Sequence, residues 1–320
     1  MATPSIEPLS LANLWTPIER LERTSALLGI DLWVKRDDLT GAALSGNKVR
    51  KLEYLCGEAR AQDADLLVTC GAVTSNHCRA TAVAAAKLGM GAHLLLRGDE
   101  PEVADGNLLL DRLVGAETTF ITQEQWADRD ALMADIAAQA AQTGRRPYVI
   151  PEGGSNAVGA LGYVGAAAEL ASQAEAAEVD LGVVWHATGS GGTTAGLALG
   201  FEGTDVEVCG VAVCDDAAYF DAAITRIVAP FEASPSWRIL DGYQGAGYAQ
   251  ATDEELAFYA EVARREGLIL DPVYSGKAFR ALCLEAEAGR LPTDRAVVFV
   301  HTGGIFGVFS FAEAFAALPR

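Results

Sequence analysis

Short apolar runs that alternate with alanine-rich segments are the feature that most constrains how this chain can fold. The run "DLLVTCGA" (65–72) is composed like a β-strand, and "SNHCRATAVAAAKLG" (75–89) after it is composed like an α-helix. Further strand candidates cover residues 31–38, 92–98, 117–122, 146–154, the start of 180–201, 206–214, 268–274 and 295–304. Near-continuous apolar strands separated by helices are typical of parallel sheets that helices cover on both faces. The pattern therefore predicts an α/β fold with open, twisted, mostly parallel sheets.

The length and charge of the chain limit its other properties. For 320 residues, one large or two medium domains are expected. The formal net charge of -19 repels nucleic acids and anionic membranes, so we expect neither as a partner. No apolar run approaches the roughly 18 residues of a membrane span, and the first residues lack a signal-peptide pattern. A cytoplasmic protein is therefore expected.

The six cysteines and four histidines do not form a metal-binding pattern. The sequence contains no Cys-x-x-Cys pair and no close Cys/His spacing, and its histidines are scattered. We therefore expect reduced, mostly buried thiols and no metal site.

A glycine-rich turn is the strongest chemical signal. In "HATGSGGTTAGLALG", an apolar strand runs into Gly189, Gly191 and Gly192, and a helix begins near Thr193. Converging backbone N–H groups and the positive end of the helix dipole suit this turn to a phosphate. The Walker ending is absent, and the turn does not lie in the first strand–helix unit, where a dinucleotide fingerprint belongs. A turn without a ligand and a nucleotide-binding oxidoreductase remain the alternatives.

Two further candidate sites follow strands. In "TCGAVTSNHCR", Ser75 is expected to cap a helix whose N-terminus could bind a carboxylate, although an ordinary cap and a structural His77 are the alternatives. Tyr274 and Thr302 follow strand candidates near the C-terminus, where open α/β sheets place their ligands. Tyr274 and Tyr248 could equally be packing residues.

Two lysines stand at a small-residue turn that becomes a helix. In "LSGNKVRKLEYL", Lys48 and Lys51 are three residues apart and share a helix face. Either amine could be a covalent catalyst, or both could belong to a solvated face. A reactive amine, a phosphate site and a carboxylate site are together what pyridoxal 5′-phosphate and an amino-acid substrate require. A non-catalytic amino-acid-binding module would need the two anion sites but no amine.

The chain resembles, essentially end to end, the fold-type II pyridoxal-phosphate enzymes of the D-cysteine desulfhydrase and 1-aminocyclopropane-1-carboxylate deaminase family. The matching motifs stand in family order and are "WVKRDDLTG", "SGNKVRKLEYL", "GAVTSNHCRATA", "GGSNAVGALGYV", "GSGGTTAGLALG", "LDPVYSGKA" and "VFVHTGG". The resemblance implies a tryptophan synthase β-like fold, a homodimer and two domains. The small domain would cover 47–161, inserted into a large cofactor domain made of 1–46 and 162–320.

The resemblance also implies roles for individual residues. In the family the lysine that forms the Schiff base follows Gly-Asn, which selects Lys48 and leaves Lys51 as a surface charge. Tyr248, Tyr274 and Ser75 would join Lys48 in catalysis. The cofactor-binding residues implied are Lys48, Asn76, Thr188, Gly189, Ser190, Gly191, Gly192, Thr193 and Thr302. The substrate-binding residues implied are Thr74, Ser75, Asn76 and His77.

Two positions bear on the reaction. The cyclopropane deaminases resemble this chain but carry Glu at the position of Ser275 and Leu at that of Thr302. The resemblance therefore favours β-elimination from D-cysteine, giving pyruvate, ammonia and sulfide, over ring opening. L-Cysteate sulfo-lyase or another β-substituted amino-acid lyase is the alternative, because Thr74 replaces the Gln of the desulfhydrases. Glu152 has no explanation in the sequence.

Overall fold

The computed structural model describes residues 6–318, which form ten strands and eleven α-helices. The strands are β1 (Ile18–Arg20), β2 (Leu32–Lys35), β3 (Leu66–Ala72), β4 (Gly91–Arg97), β5 (Glu117–Ile121), β6 (Pro147–Val149), β7 (Leu181–Thr188), β8 (Glu207–Ala212), β9 (Arg238–Leu240) and β10 (Ala296–Val300). The helices are α1 (Glu22–Leu28), α2 (Asn47–Ala61), α3 (Asn76–Leu88), α4 (Gly106–Leu113), α5 (Arg129–Gln142), α6 (Ala157–Ala176), α7 (Gly192–Gly200), α8 (Ala217–Val228), α9 (Asp253–Glu266), α10 (Ser275–Glu287) and α11 (Ala312–Ala317). Among these residues, no helix is long and apolar enough to cross a membrane.

The strands form two separate sheets. The smaller has the order β5-β4-β3-β6 and is entirely parallel. The larger has the order β1-β2-β10-β7-β8-β9, and only the β1–β2 pair is antiparallel. The predicted α/β fold with two mostly parallel sheets is confirmed.

Helices cover both faces of the larger sheet because its strands are apolar on both sides. Trp185 of β7 packs in a core with Phe279 of α10, whereas the next residue back, Val184, packs with Leu170 of α6 and Leu197 of α7. Successive strand side chains point to opposite faces, so each face needs its own helical cover. All five of these side chains are almost completely buried.

One predicted strand is wrong. Residues 268–274 are largely buried, but they form no strand in the structure. The Asp271 carboxylate accepts hydrogen bonds from the backbone N–H groups of Val273, Tyr274 and Ser275 at 2.9–3.0 Å. Pro272 has no N–H to donate. These backbone donors are therefore unavailable to a sheet, and the segment instead turns into α10.

The turn before α2 joins the two halves of the molecule. The backbone N–H of Asn47 donates to the carbonyl of Thr302, which follows β10, at 3.0 Å. Gly46 has a φ of 89°, and a Cβ there would lie 2.6 Å from the same carbonyl oxygen. Only glycine combines this backbone conformation with so close an approach. The first turn of α2 is thus fixed at the carboxyl end of a central strand.

A buried ionic network holds the next turn of α2. The guanidinium of Arg50 donates to Asp37 at 2.8 and 2.9 Å and to Glu169 of α6 at 2.9 Å. Lys35 of β2 also pairs with Glu169, and Tyr163 donates to Asp37 at 2.7 Å. Burial raises the pKa of Asp37, but the charge and hydrogen bonds of Arg50 outweigh this and hold it below its usual value. The network therefore consists of charged groups that depend on one another.

Replacing Arg50 by alanine should destabilise the protein strongly. The change leaves Asp37 and Glu169 buried without their shared cation, and breaking a buried pair in this way costs about 3–5 kcal/mol. Arg112→Ala is the matched control, because its ion pair with Glu100 is exposed and worth at most about 1 kcal/mol. Urea unfolding followed by circular dichroism measures both. Equal losses in the two variants would contradict the importance of the network.

Candidate active site

A cavity of about 860 Å³ is lined by residues from the carboxyl ends of both sheets. It brings together most of the residues that the sequence predicts. Those lining it are Lys48, Ser75, Asn76, His77, Thr188, Gly189, Ser190, Gly191, Thr193, Tyr248, Tyr274 and Thr302. Thr74 and Gly192 are the two predicted residues that do not line it. The strand ends of two parallel sheets thus build one site from distant parts of the sequence.

Lys48 lies in the first turn of α2, with its amine facing the cavity. Its Nζ donates to Asn47 Oδ1 at 3.1 Å, and Asn47 Nδ2 donates to Thr193 Oγ1 at 3.0 Å. Burial lowers the pKa of Lys48 to about 8, and the negative charges of Glu152 and Asp271 only partly oppose this. A substantial fraction of this amine is therefore neutral near physiological pH, as a nucleophile or a base must be.

The glycine-rich turn between β7 and α7 is the candidate anion cradle. Gly191 has a φ of 83°, and the backbone N–H of Gly192 points at Ser155 Oγ, 3.3 Å away. A Cβ at Gly192 would lie 2.7 Å from Ser155 Oγ and 2.8 Å from Lys51 Nζ. Backbone donors, a hydroxyl and an amine therefore converge at the N-terminus of α7, the donor set that a phosphate group takes.

Lys51 is not the surface charge that the sequence analysis expects. Its side chain is buried, and its Nζ donates to the carbonyl of Gly153 at 3.2 Å and to Ser155 Oγ at 3.1 Å. Burial, and then the charge of Lys48, lower its pKa well below the usual value. The spacing of the two lysines could have predicted this burial. Residues three apart share a helix face, so Lys51 points inward when Lys48 faces the cavity.

The candidate carboxylate site lies at the N-terminus of α3. Ser75 caps this helix, its Oγ accepting from the backbone N–H of Cys78 at 3.2 Å, as predicted. His77 Nε2 lies 2.8 Å from Thr69 Oγ1. Burial, and then the charges of Lys48 and Lys51, lower the pKa of His77 well below its usual value. This imidazole is therefore neutral.

Asn107 of α4 is a site residue that the sequence analysis missed. Its Nδ2 donates to the carbonyl of Thr74 at 2.7 Å and to Asn76 Oδ1 at 3.1 Å. Arg79 Nε in turn donates to Asn107 Oδ1 at 3.2 Å. Asn107 thus orients the loop that leads into α3. No local pattern marks it, because α4 follows α3 only after a complete strand.

Two tyrosines meet across the cavity wall. Tyr274 OH donates to Tyr248 OH at 3.3 Å, and their rings pack edge to face with centroids 5.9 Å apart. Burial raises the pKa of both phenols. Gly189 makes room for this arrangement, since a Cβ there would lie 2.7 Å from the Tyr274 ring. Both hydroxyls therefore remain protonated at neutral pH.

Ser275 turns away from the cavity. It is fully buried, and its hydroxyl donates to Asp271 Oδ1 at 2.6 Å. Thr302, by contrast, lines the cavity. The residue after Tyr274 therefore places no carboxylate in the site.

Glu152 lines the cavity together with Arg97, Trp126 and Arg129, and we call these four residues its outer wall. Its Oε2 pairs with Arg129 Nε at 3.2 Å. Burial raises the pKa of Glu152, while Arg129 and Arg97 oppose the increase. Trp126 lies between the two arginines, with their guanidinium carbons 4.7 Å (Arg97) and 5.0 Å (Arg129) from its ring centroid. The partner of Glu152 lies on α5, too far along the chain for the sequence to reveal it.

Comparison with known proteins identifies the family. A model of pyridoxal-phosphate dependent enzymes matches residues 9–303. The chain belongs to this family. The comparison confirms pyridoxal 5′-phosphate as the cofactor and decides against the nucleotide-binding and non-catalytic alternatives. Within residues 6–318, no group of three or more His, Cys, Asp or Glu side chains is placed to hold a metal ion.

Named relatives cover nearly the whole chain. It is 42% identical over 324 aligned positions, 97% of this chain and 81% of the relative, to the mitochondrial bifunctional D-cysteine desulfhydrase/1-aminocyclopropane-1-carboxylate deaminase of Arabidopsis thaliana. It is 40% identical over 317 positions, 95% of each chain, to D-cysteine desulfhydrase of Serratia proteamaculans. A crystal structure of a 1-aminocyclopropane-1-carboxylate deaminase homologue has 39% identity and a TM-score of 0.89, covering 98% of this chain and 97% of that one.

The site fits the cofactor of this family. A Cβ at Gly192 would fill the cradle, and the buried amine of Lys51 has no acidic partner among the described residues. The negative charge of a phosphate group would favour the protonated form of this amine. Lys48, whose Nζ is linked to Thr193 through the Asn47 side chain, would be the amine that holds the aldehyde group of the cofactor.

Lys51→Met should weaken binding of pyridoxal 5′-phosphate but not of pyridoxal. A hydrogen bond to a charged group is worth about 1.5–3 kcal/mol, so the dissociation constant of the phosphorylated form should rise about tenfold to a hundredfold. Absorbance titration of the apoprotein with both compounds measures this, with the exposed Lys87→Met as control. Equal weakening for both compounds would rule out a phosphate contact.

The Lys48 amine should react at lower pH than an ordinary lysine. Burial lowers its pKa to about 8, so the neutral, reactive form increases as the pH rises from 7 to 9. A model lysine, with a pKa of about 10.4, should show its rise near pH 10. Acetylation of the apoprotein at a series of pH values, quantified on the Lys48 peptide by mass spectrometry, measures the midpoint. A midpoint near 10 would contradict the lowered pKa.

Proposed function

We propose that this enzyme is a lyase that carries out β-elimination on D-cysteine, converting it with water into pyruvate, ammonia and hydrogen sulfide. The observation that carries the proposal is the position of the Lys48 amine. It lies in one cavity with the capped N-terminus of α3 and with the hydroxyl pair of Tyr248 and Tyr274. A base, a carboxylate site and a proton donor are what this elimination needs.

We propose the following roles for these groups. The N-terminus of α3, with Ser75 and Asn76, binds the substrate carboxylate through its backbone dipole and side chains. The neutral Lys48 amine removes the α-proton, which is worth about 10²–10⁴ in rate for a general base. The protonated hydroxyl of Tyr274 or Tyr248 donates a proton to the departing thiolate. Bound pyridoxal phosphate supplies the electron withdrawal that makes the α-proton acidic.

We propose that the remaining cofactor contacts come from the glycine-rich turn and from the strand ends. Thr188, Gly189, Ser190, Gly191, Gly192 and Thr193, together with Lys51, would hold the phosphate group, and Asn76 and Thr302 would border the ring. Thr74 and His77 would border the substrate. The substrate class is supported by the names of the relatives and by Ser275, whose hydroxyl is occupied by Asp271 and places no carboxylate at the ring.

The domain boundaries, the assembly and the location are also proposals. We propose a small domain of 47–161, which contains the smaller sheet, inserted in a large domain of 1–46 and 162–320. A homodimer in the cytoplasm follows from the resemblance and from the composition. Size-exclusion chromatography with light scattering tests the dimer.

The purified holoenzyme should convert D-cysteine into pyruvate and sulfide in equal amounts. Lys48→Ala should lower the rate by at least about 10²–10⁴, because the base is lost, whereas the exposed Lys87→Ala should not. Coupled assays of pyruvate and sulfide measure the products. Activity on 1-aminocyclopropane-1-carboxylate alone, with 2-oxobutyrate as the only keto acid, would overturn the proposal.

A further inference from the structure

The outer wall of the cavity contains a guanidinium without an acidic partner. Arg97 is the last residue of β4 and lines the same cavity as Lys48. Its side chain makes no hydrogen bond or ion pair with any residue of 6–318. It contacts two aromatic rings instead, with its guanidinium carbon 4.7 Å from the Trp126 centroid and 5.4 Å from the Tyr248 centroid. Arg226 also lines the cavity and, among the described residues, has neither an ion pair nor a ring contact, whereas two aromatic rings fix Arg97.

The neighbouring arginine is already neutralised. Arg129 stacks on Trp126 as Arg97 does, but it pairs with Glu152 at 3.2 Å. Stacking occupies the flat face of a guanidinium and leaves its edge N–H donors free. The charge of Arg129 is paired with Glu152, and one of its N–H groups donates to the Trp126 carbonyl. For Arg97 the edge donors remain available to a ligand in the cavity.

Arg97 lies beside the reacting groups rather than at a remote surface. The parallel register of β3 and β4 pairs it with Ala72, three residues before Ser75 at the carboxylate site. The Tyr248 ring that it contacts belongs to the hydroxyl pair with Tyr274. A substituent extending from the β-carbon past these tyrosines would meet the free edge of Arg97.

We propose that Arg97 binds an anionic group at the far end of the substrate's β-substituent. This inference rests on the proposed lyase function and extends its substrate class from D-cysteine to β-substituted amino acids whose leaving group carries a carboxylate or a similar anion. The planar fork of arginine matches a carboxylate through two parallel hydrogen bonds. Trp126 and Tyr248 hold that fork in place, so little side-chain freedom is lost on binding.

S-Carboxymethylcysteine is the simplest probe with these properties. In its elimination the bond between the β-carbon and sulfur breaks, and the sulfur keeps the electron pair and leaves as thioglycolate. With water, the remaining carbon skeleton gives pyruvate and ammonia. S-Carbamoylmethylcysteine has nearly the same shape but no charge at its end, which makes it the matched neutral probe.

The test is the ratio of kcat/KM for the charged and the neutral probe, measured by pyruvate release with each enantiomer. A hydrogen-bonded charge is worth about 1.5–3 kcal/mol, so the holoenzyme should prefer the charged probe about tenfold to a hundredfold. In Arg97→Gln the ratio should fall to about one, and Arg97→Lys should keep part of the preference because the positive charge remains. Arg112→Gln, outside the cavity, should leave the ratio unchanged.

A binding measurement separates this inference from the proposed function. D-Glutamate and D-glutamine form a charged and neutral pair without a thiolate leaving group, and calorimetry measures their affinities for the holoenzyme and for Arg97→Gln. The holoenzyme could release pyruvate from D-cysteine and yet show a kcat/KM ratio near one for the charged and neutral probes. That result would overturn the anion site but support the lyase function. If no compound yields pyruvate, the proposed lyase function is wrong, and the calorimetric affinities alone test the anion site at Arg97. The anion site is supported if the holoenzyme binds D-glutamate more tightly than D-glutamine and Arg97→Gln abolishes this difference. Equal affinities of the holoenzyme for the two compounds overturn it.

Discussion

The position of helix α2 depends on the ion pairs that Arg50 makes with Asp37 and Glu169. These three side chains come from α2, from the turn after β2 and from α6, and all are buried. A buried charge without its partner is strongly unfavourable, so the three elements must stay together once the protein is folded. With the hydrogen bond from Asn47 to Thr302, the network directs the first turn of α2 toward the strand ends, where Lys48 lines the cavity.

The two lysines of this turn differ through their surroundings. Lys48 faces the open cavity, where burial lowers its pKa to about 8. Lys51 is enclosed beside the glycine-rich turn. Its Nζ donates to the Gly153 carbonyl and to Ser155 Oγ, and it lies close to Gly192. The first environment suits an amine that must gain and lose protons, and the second suits an amine that becomes protonated when an anion binds beside it. One helical turn thus separates the proposed base from the proposed phosphate contact.

Features formed by residues adjacent in the sequence could be predicted from the sequence. The glycine-rich turn before α7 could be predicted because its glycines and the helix start are adjacent in the sequence, and the helix cap at Ser75 could be predicted for the same reason. Contacts between residues that are distant in the sequence could not be predicted in this way. The apolar run 268–274 is composed like a strand, but Asp271 takes its backbone donors. Asn107 and the Arg129–Glu152 pair carry no local signal, since their partners lie a strand or a helix away.

By itself, the sequence determined the α/β class, the glycine-rich turn before α7 and, through the family resemblance, the cofactor. These properties depend on hydrophobic periodicity and on short motifs, which act over a few neighbouring residues. Only the tertiary structure decided that Lys51 is buried, that Glu152 pairs with Arg129, and that Arg97 stands unpaired between Trp126 and Tyr248. Burial and electrostatic environment are set by contacts between distant segments, and the chain has to fold before those contacts exist.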